Sequence, residues 1–192
     1  METNAVVLDI ETQNTFQEVG AYEPSKLDVS LVGIYRYETD AYEVYMEDQL
    51  QDMFKMLENS GPIIGYNSIS FDMGCLNKYY SGDLLKLPQI DLMVQIQEVA
   101  GFRPKLDHVA HSTLGIGKSG DGLDAVRYWK NGQIDELKKY CLDDVKVTKE
   151  LYEFGVNNGF VKVANKMGQE MEVKVSFESE KQDTSVPLTL GL

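Results

Sequence analysis

Two periods of hydrophobic positions run along the chain, and the places where one gives way to the other mark its elements. The segment NAVVLDIE is a short apolar run rich in β-branched residues, and DVSLVGIYRYE and AYEVYME follow with strand-like composition, separated by a turn-like Thr39–Asp40. Three strands therefore open the chain. In QLQDMFKMLENSG, Leu50, Met53, Phe54 and Leu57 recur at the spacing of one helix face, and the pattern stops at Gly61 and Pro62. PIIGYN predicts a fourth strand, SFDMGCLNKYY a helix, and LPQIDL a fifth strand that runs into helical MVQIQEVAG. From there to residue 158 the pattern is helical, broken at GIGKSGDG. Strands interleaved with helices in this way predict an α/β fold with a mixed five-stranded sheet flanked by helices.

Beyond Gly159 the period returns to two: Met171, Val173, Val175 and Phe177 alternate with Glu172, Lys174 and Ser176, which predicts a small C-terminal β-hairpin. A polar ESEKQDTS and an apolar VPLTLGL end the chain. The predicted organisation is a main domain over 1–158, a hairpin extension over 159–178, and a linker with an apolar tail over 179–192. No internal repeat or low-complexity tract interrupts it.

At 192 residues, 43% of them hydrophobic, the chain has material for one sizeable core. Cys75 and Cys141 carry no metal-ligand spacing, and METNAVVLDIETQ has no basic segment followed by an apolar run. A cytoplasmic, reducing setting is expected. No window is long and apolar enough to cross a bilayer, so no membrane partner is expected. A formal charge of −13 argues against a broad phosphate-binding surface, because counterion release by lysines and arginines supplies most non-specific nucleic-acid affinity. Carboxylates that converge on divalent cations would account for part of that acidity without opposing an anionic substrate.

The helix expected from Gln133 to Asn158 carries two adjacent acids in YCLDDV. Steps of three and four from Tyr140 collect Asp144, Val147 and Leu151, whereas steps from Lys139 collect Asp143, Lys146 and Glu150. Asp143 thus belongs to a charged stripe and Asp144 to a largely apolar one, where a carboxylate is costly to bury without a cationic or hydrogen-bonding partner. Asp9 and Glu11, two apart in VVLDIET, leave the same face of a strand, and two neighbouring carboxylates repel unless a cation lies between them. Asp72 opens a helix after an apolar strand, where capping is its commonest role. Each feature has an ordinary structural reading: loop caps for Asp9 and Glu11, a helix cap for Asp72, a core ring for Tyr140.

Three motifs nevertheless occur in order: DIET, then YNSISFD, then YCLDD. In this the chain resembles the DEDD superfamily of 3′-to-5′ exonucleases, of ribonuclease H-like fold, and in particular its tyrosine-containing DEDDy branch. The motif forms are most similar to the proofreading domain of family B DNA polymerases and its stand-alone relatives, over about residues 5–155. The resemblance implies that Asp9, Glu11, Asp72 and Asp144 ligate two Mg²⁺ or Mn²⁺ ions and, with Tyr140, hydrolyse terminal phosphodiesters by a two-metal-ion mechanism. The implied substrate is the 3′ end of a single-stranded nucleic acid, DNA favoured over RNA, and the implied products are nucleoside monophosphates. Thr12, Asn67 and Phe71 would contact the terminal nucleotide. Proofreading, repair or trimming would all use this chemistry.

Other features stay open. Asp91 has the placement of an acid in the same cleft or of a cap on the following helix. The G-x-G-x-x-G string from Gly115 to Gly120 follows a helical segment, which argues against a dinucleotide loop, and Ser112 stands where a phosphate-binding P-loop needs its first glycine. Arg103, Lys105, Lys118, Arg127 and Lys130 near that loop could guide a strand. His108 and His111 lack a third ligand at matching spacing for zinc. The apolar tail is a candidate docking peptide for a protein partner. Two alternative functions keep the fold and change the activity: a catalytically silent nucleic-acid or protein-binding module, and a structure-selective endonuclease.

Overall fold

A computed structural model of the chain describes residues 4–116, 122–165 and 168–179. Its main sheet has five strands, β1 (Val6–Thr12), β2 (Val29–Arg36), β3 (Ala41–Met46), β4 (Ile63–Gly65) and β5 (Gln89–Asp91), in the order β3-β2-β1-β4-β5. β2 is antiparallel to both β1 and β3, whereas β4 is parallel to both β1 and β5. Parallel neighbours need crossovers, supplied here by α2 (Leu50–Leu57) before β4 and by α3 (Asp72–Leu76) before β5. The five strands and the mixed sheet stand where the alternation places them. A further short helix, α1 (Phe16–Val19), joins β1 to β2; four residues are too few to show a period, and a Thr15–Glu18 capping box marks its start.

Period two decides which way β1 points its side chains. Val6, Leu8 and Ile10 enter one core with Leu50, Met53 and Leu57 of α2, while Val7 enters the opposite core with Val145 and Leu151. The latter two belong to the long helix α7 (Ile134–Asn158), which crosses β1 and β2. Asp9 and Glu11 therefore share Val7's face, under α7. Gly33 of β2, paired with Asp9, makes that crossing close: a Cβ there would stand 2.7 Å from Cys141 Sγ and 3.1 Å from Val145 Cγ2.

Between β5 and α7 lie α4 (Leu92–Ala100), α5 (Leu106–Leu114) and α6 (Gly122–Lys130). The expected hairpin follows as β6 (Phe160–Ala164) and antiparallel β7 (Glu170–Lys174). It docks on α5 and α4, and its Val161, Val163 and Val173, with Phe177, join the core that holds Val7 and Ile64. Phe177 packs against Gly155 of α7, where a Cβ would overlap its ring.

Among the described residues no helix is long and apolar enough to cross a membrane. Lys118, most of the glycine loop and the apolar tail with its docking expectation lie outside the described residues.

Candidate active site

In an open sheet with parallel strands, ligands meet the carboxyl ends of those strands. Here that edge collects the end of β1 with Asp9 and Glu11, the turn after β4 that leads to Asp72, and Asp91 at the end of β5. From above, α7 brings Tyr140 and Asp144, one turn apart. Burial pushes the Asp9 carboxyl well above the usual carboxylate range, and the charges of Asp72, Glu11 and Asp144 each push it further. All four sequence-predicted acids thus act on one point. Asp72, 4% exposed, is raised to about 7, chiefly by burial, with Asp91 adding to the rise and the main-chain N–H groups of Asp72 and Ile10 opposing it.

Asp91, whose charge reaches Asp72, also holds the frame. Its Oδ1 accepts from the N–H groups of Met93 at 3.0 Å and Val94 at 3.3 Å, capping α4, and from Asn67 N–H at 2.8 Å; its Oδ2 accepts from Ile69 N–H at 3.0 Å. Of the two roles open in the sequence, the helix cap is built, extended to a clamp on the second motif, and the nearness to Asp72 keeps the acid of the same cleft open as well. The clamp has something to hold, because Asn67 sits at φ +64, a left-handed backbone that few residues other than glycine adopt readily. The Asn67 side-chain oxygen accepts from Ser70 Oγ at 2.7 Å and from Arg103 Nη2. The adjacent Tyr66 hydroxyl donates to Pro104 O at 2.8 Å. The loop carrying Arg103 and Lys105 is thereby tied to the second motif.

Beside them opens a cavity of about 940 Å³, lined by Asp9, Asp143 and Asp144 and also by Arg103 and Lys105. Asp143 lines the same cavity together with Lys146 and Glu150 of its charged stripe, so both stripes of α7 reach the cavity. Of the remaining basic residues, Arg127 pairs with Asp124 at 2.9 Å and Lys130 with Glu18 on α1. Both histidines of α5 are exposed. Tyr140, 6% exposed, packs with Leu31, Leu137 and Cys141. Thr12 Oγ1 donates to Asn14 O at 2.9 Å, beside an irregularity in β1–β2 pairing at Glu11 and Thr12. Phe71 is half-buried, edge-on to Phe16.

One neighbour of the acids has no signal in the sequence. Cys141 Sγ lies 3.5 Å from the Asp9 carbonyl oxygen and 3.7 Å from Asp9 Oδ2, and the ligand atoms of Asp9, Glu11 and Cys141 fall within 4.8 Å of one another. Burial, and then the charges of Asp9 and Glu11, push the thiol well above its ordinary pKa, so it stays protonated and donates to Asp9. The donors left are carboxylate oxygens, a set suited to hard divalent cations of the Mg²⁺ and Mn²⁺ type, and a cation there would relieve the repulsion that raises Asp9.

A solved structure, the family B DNA polymerase from the hyperthermophilic archaeon Pyrobaculum calidifontis, superposes with a TM-score of 0.62 at 21% identity, over 81% of this chain and 25% of the polymerase chain. At that identity the likeness is one of fold, and this chain spans about a quarter of the polymerase's length. No curated protein sequence matches the chain. The family profile described as RNase_H superfamily matches residues 6–155, from β1 to near the end of α7, a span that contains every acid of the site together with Tyr140. With most of its length matched by that profile and its sheet ordered β3-β2-β1-β4-β5, the chain is a member of the RNase_H superfamily, with a ribonuclease H-like fold and a small two-stranded C-terminal extension.

Proposed function

We propose that the protein is a divalent-metal-dependent nuclease that removes nucleotides from the 3′ end of single-stranded nucleic acid, DNA in preference to RNA. The observation that carries this reading is the convergence of Glu11, Asp72 and Asp144 on Asp9. Four carboxylates brought together at a cavity edge make a poor core and a good cation site. Family membership supports nuclease chemistry, and the three motifs and the tyrosine support the exonuclease form of it.

In this reading Asp9, Glu11, Asp72 and Asp144 hold two Mg²⁺ or Mn²⁺ ions, which when bound supply a water acidic enough to attack at neutral pH and a charge sink for the attacking and leaving oxygens. The chain's own residues do the rest. A phenol of reference pKa about 10 keeps its proton at neutral pH, so Tyr140 orients the attacking water and is not its base. Cys141 fixes the Asp9 carboxylate through its S–H donor. Thr12, Asn67 and Phe71 contact the terminal nucleotide, with Asn67 held in place by Asp91, Ser70 and Arg103. Arg103 and Lys105, which line the same cavity as Asp9 and Asp144, offset strand phosphates.

The silent binding module is disfavoured because no acid of the set is missing. Linear and circular single-stranded DNA of one sequence, incubated with Mn²⁺ and resolved by chromatography, separate the exonuclease from the endonuclease. Nucleoside monophosphates from the linear strand with the circle intact are the expected outcome; cleavage of the circle would assign an endonuclease.

A further inference from the structure

At the rim of the same cavity stands an aromatic ring whose exposure the fold does not require. Tyr22 is 88% exposed, more than any other large hydrophobic among the described residues, and it lines the cavity that holds Asp9 and Asp144. A single exposed aromatic is ordinary. This one is fixed: its ring stacks on Phe16 with centroids 4.3 Å apart and planes 27° apart, and Phe16 in turn meets Phe71 edge-on at 6.0 Å. Phe71 directly precedes Asp72, so the row of rings runs from the acid cluster out to the rim.

Each support of the row is anchored. Phe16 and Phe71 pack against the core formed by Leu8, Ile10 and Met73. Phe16 opens α1, which is held by the Thr15–Glu18 capping box and tethered through the Glu18–Lys130 pair. Gly20, at φ +66, ends α1 and turns the chain towards Tyr22. One face of the Tyr22 ring is thus covered by Phe16, while nearly all of the residue's remaining surface is open at the mouth of a nuclease-type cleft.

We propose that Tyr22 is the base-stacking platform of this cleft, taking an unpaired base close to the 3′ end. The proposal rests on the nuclease reading. A flat, uncharged, preorganised ring recognises what all bases share, an aromatic face, and so grips without sequence preference. It also answers the electrostatic problem of a chain with formal charge −13, which has few cations for phosphates and needs a neutral source of affinity. Bases within a duplex are already stacked and paired, so the platform favours frayed or single-stranded ends.

The test uses the full chain as wild type, Tyr22→Ala and Tyr22→Phe, with Mn²⁺, on 5′-labelled single strands carrying either normal bases or abasic residues at the last two positions. Tyr22→Ala is expected to raise KM about ten- to a hundred-fold on the normal strand, with kcat little changed and no further loss on the abasic strand. Tyr22→Phe should match wild type. An unchanged KM for Tyr22→Ala, or an equal rise on both strands, would overturn the platform. Binding without turnover is read separately, in EDTA, from quenching of 2-aminopurine placed at each of the last two positions. Quenching by wild type that Tyr22→Ala abolishes supports the platform even if no strand is cut, in which case the nuclease reading alone falls. Cutting by wild type with no difference in quenching between the two proteins overturns the platform alone.

Discussion

If the acid cluster holds cations as proposed, removing one carboxylate should abolish catalysis and steady the metal-free fold, two effects of opposite sign. Asp144→Ala is expected to cost several kcal/mol of transition-state stabilisation, on the order of a thousand-fold in kcat, checked by single-turnover cleavage. Tyr140→Phe should lose about a hundred-fold while Mn²⁺ affinity by calorimetry is retained; full activity would remove the tyrosine from the mechanism. Asp72 gives the pH dependence. Its folded pKa, about 7, lies above the unfolded value near 3.8, so between those values the folded chain keeps a proton that the unfolded chain has lost. Stability therefore falls as pH rises through that window. The metal-free protein should melt at lower temperature at pH 7.5 than at pH 5, Mn²⁺ should cancel the fall, and Asp72→Asn should flatten it; a melting temperature that rises with pH in EDTA would contradict the account. At this scale the acids were legible because carboxylates at strand ends and on an inward helix stripe are chemically conspicuous. Cys141 and Tyr22 were not, because a small apolar thiol on a helix and a tyrosine in polar GAYEPS look ordinary until the fold sets them beside Asp9 and the cavity.

Among elements, what holds the site is the closeness of α7 to the sheet and the tie between β4 and β5. Gly33→Ala would drive a methyl into Cys141 and Val145, and a cost of about 1–3 kcal/mol is expected from urea unfolding. Shortening the partner relieves part of the clash, so Gly33→Ala with Cys141→Ala should cost less than the sum of the single changes. Asp91→Ala removes a helix cap and the clamp on Asn67 and Ile69 together, for about 2–3 kcal/mol, and should raise KM because Asn67 loses the main-chain bond that holds its left-handed backbone. The strands were legible because each presents a run or an alternation several residues long. The segment SFDMGCLNKYY is helical only over Asp72–Leu76, and α1 left no trace in the pattern: both are short elements set by capping and by contacts with distant parts of the chain. The tie from Asp91 to the second motif spans more than twenty residues and has no local signature.

Across the whole molecule, net acidity and the proposed cation-binding cleft combine into a prediction about salt. If Arg103 and Lys105 are the chief phosphate contacts, the slope of log affinity against log salt is about −1.4 for a single strand, or about a seven-fold loss between 50 and 200 mM. A loss of several hundred-fold would reveal a basic surface that this reading lacks. The C-terminal hairpin, legible from its alternation, shares a core with the main sheet through Val161, Val173 and Phe177, a union that periodicity within one segment has no means of showing. One digest reads out metal-dependent attack at 3′ ends by the converged acids. 5′-labelled single-stranded DNA and RNA of one sequence are incubated with wild type and Asp144→Ala in Mg²⁺, Mn²⁺ or EDTA, and the products are resolved on a sequencing gel. A ladder is expected that shortens from the 3′ end, needs metal, favours DNA and is absent with Asp144→Ala; intact strands in every metal, or a ladder that persists in EDTA or with Asp144→Ala, would rule this mechanism out.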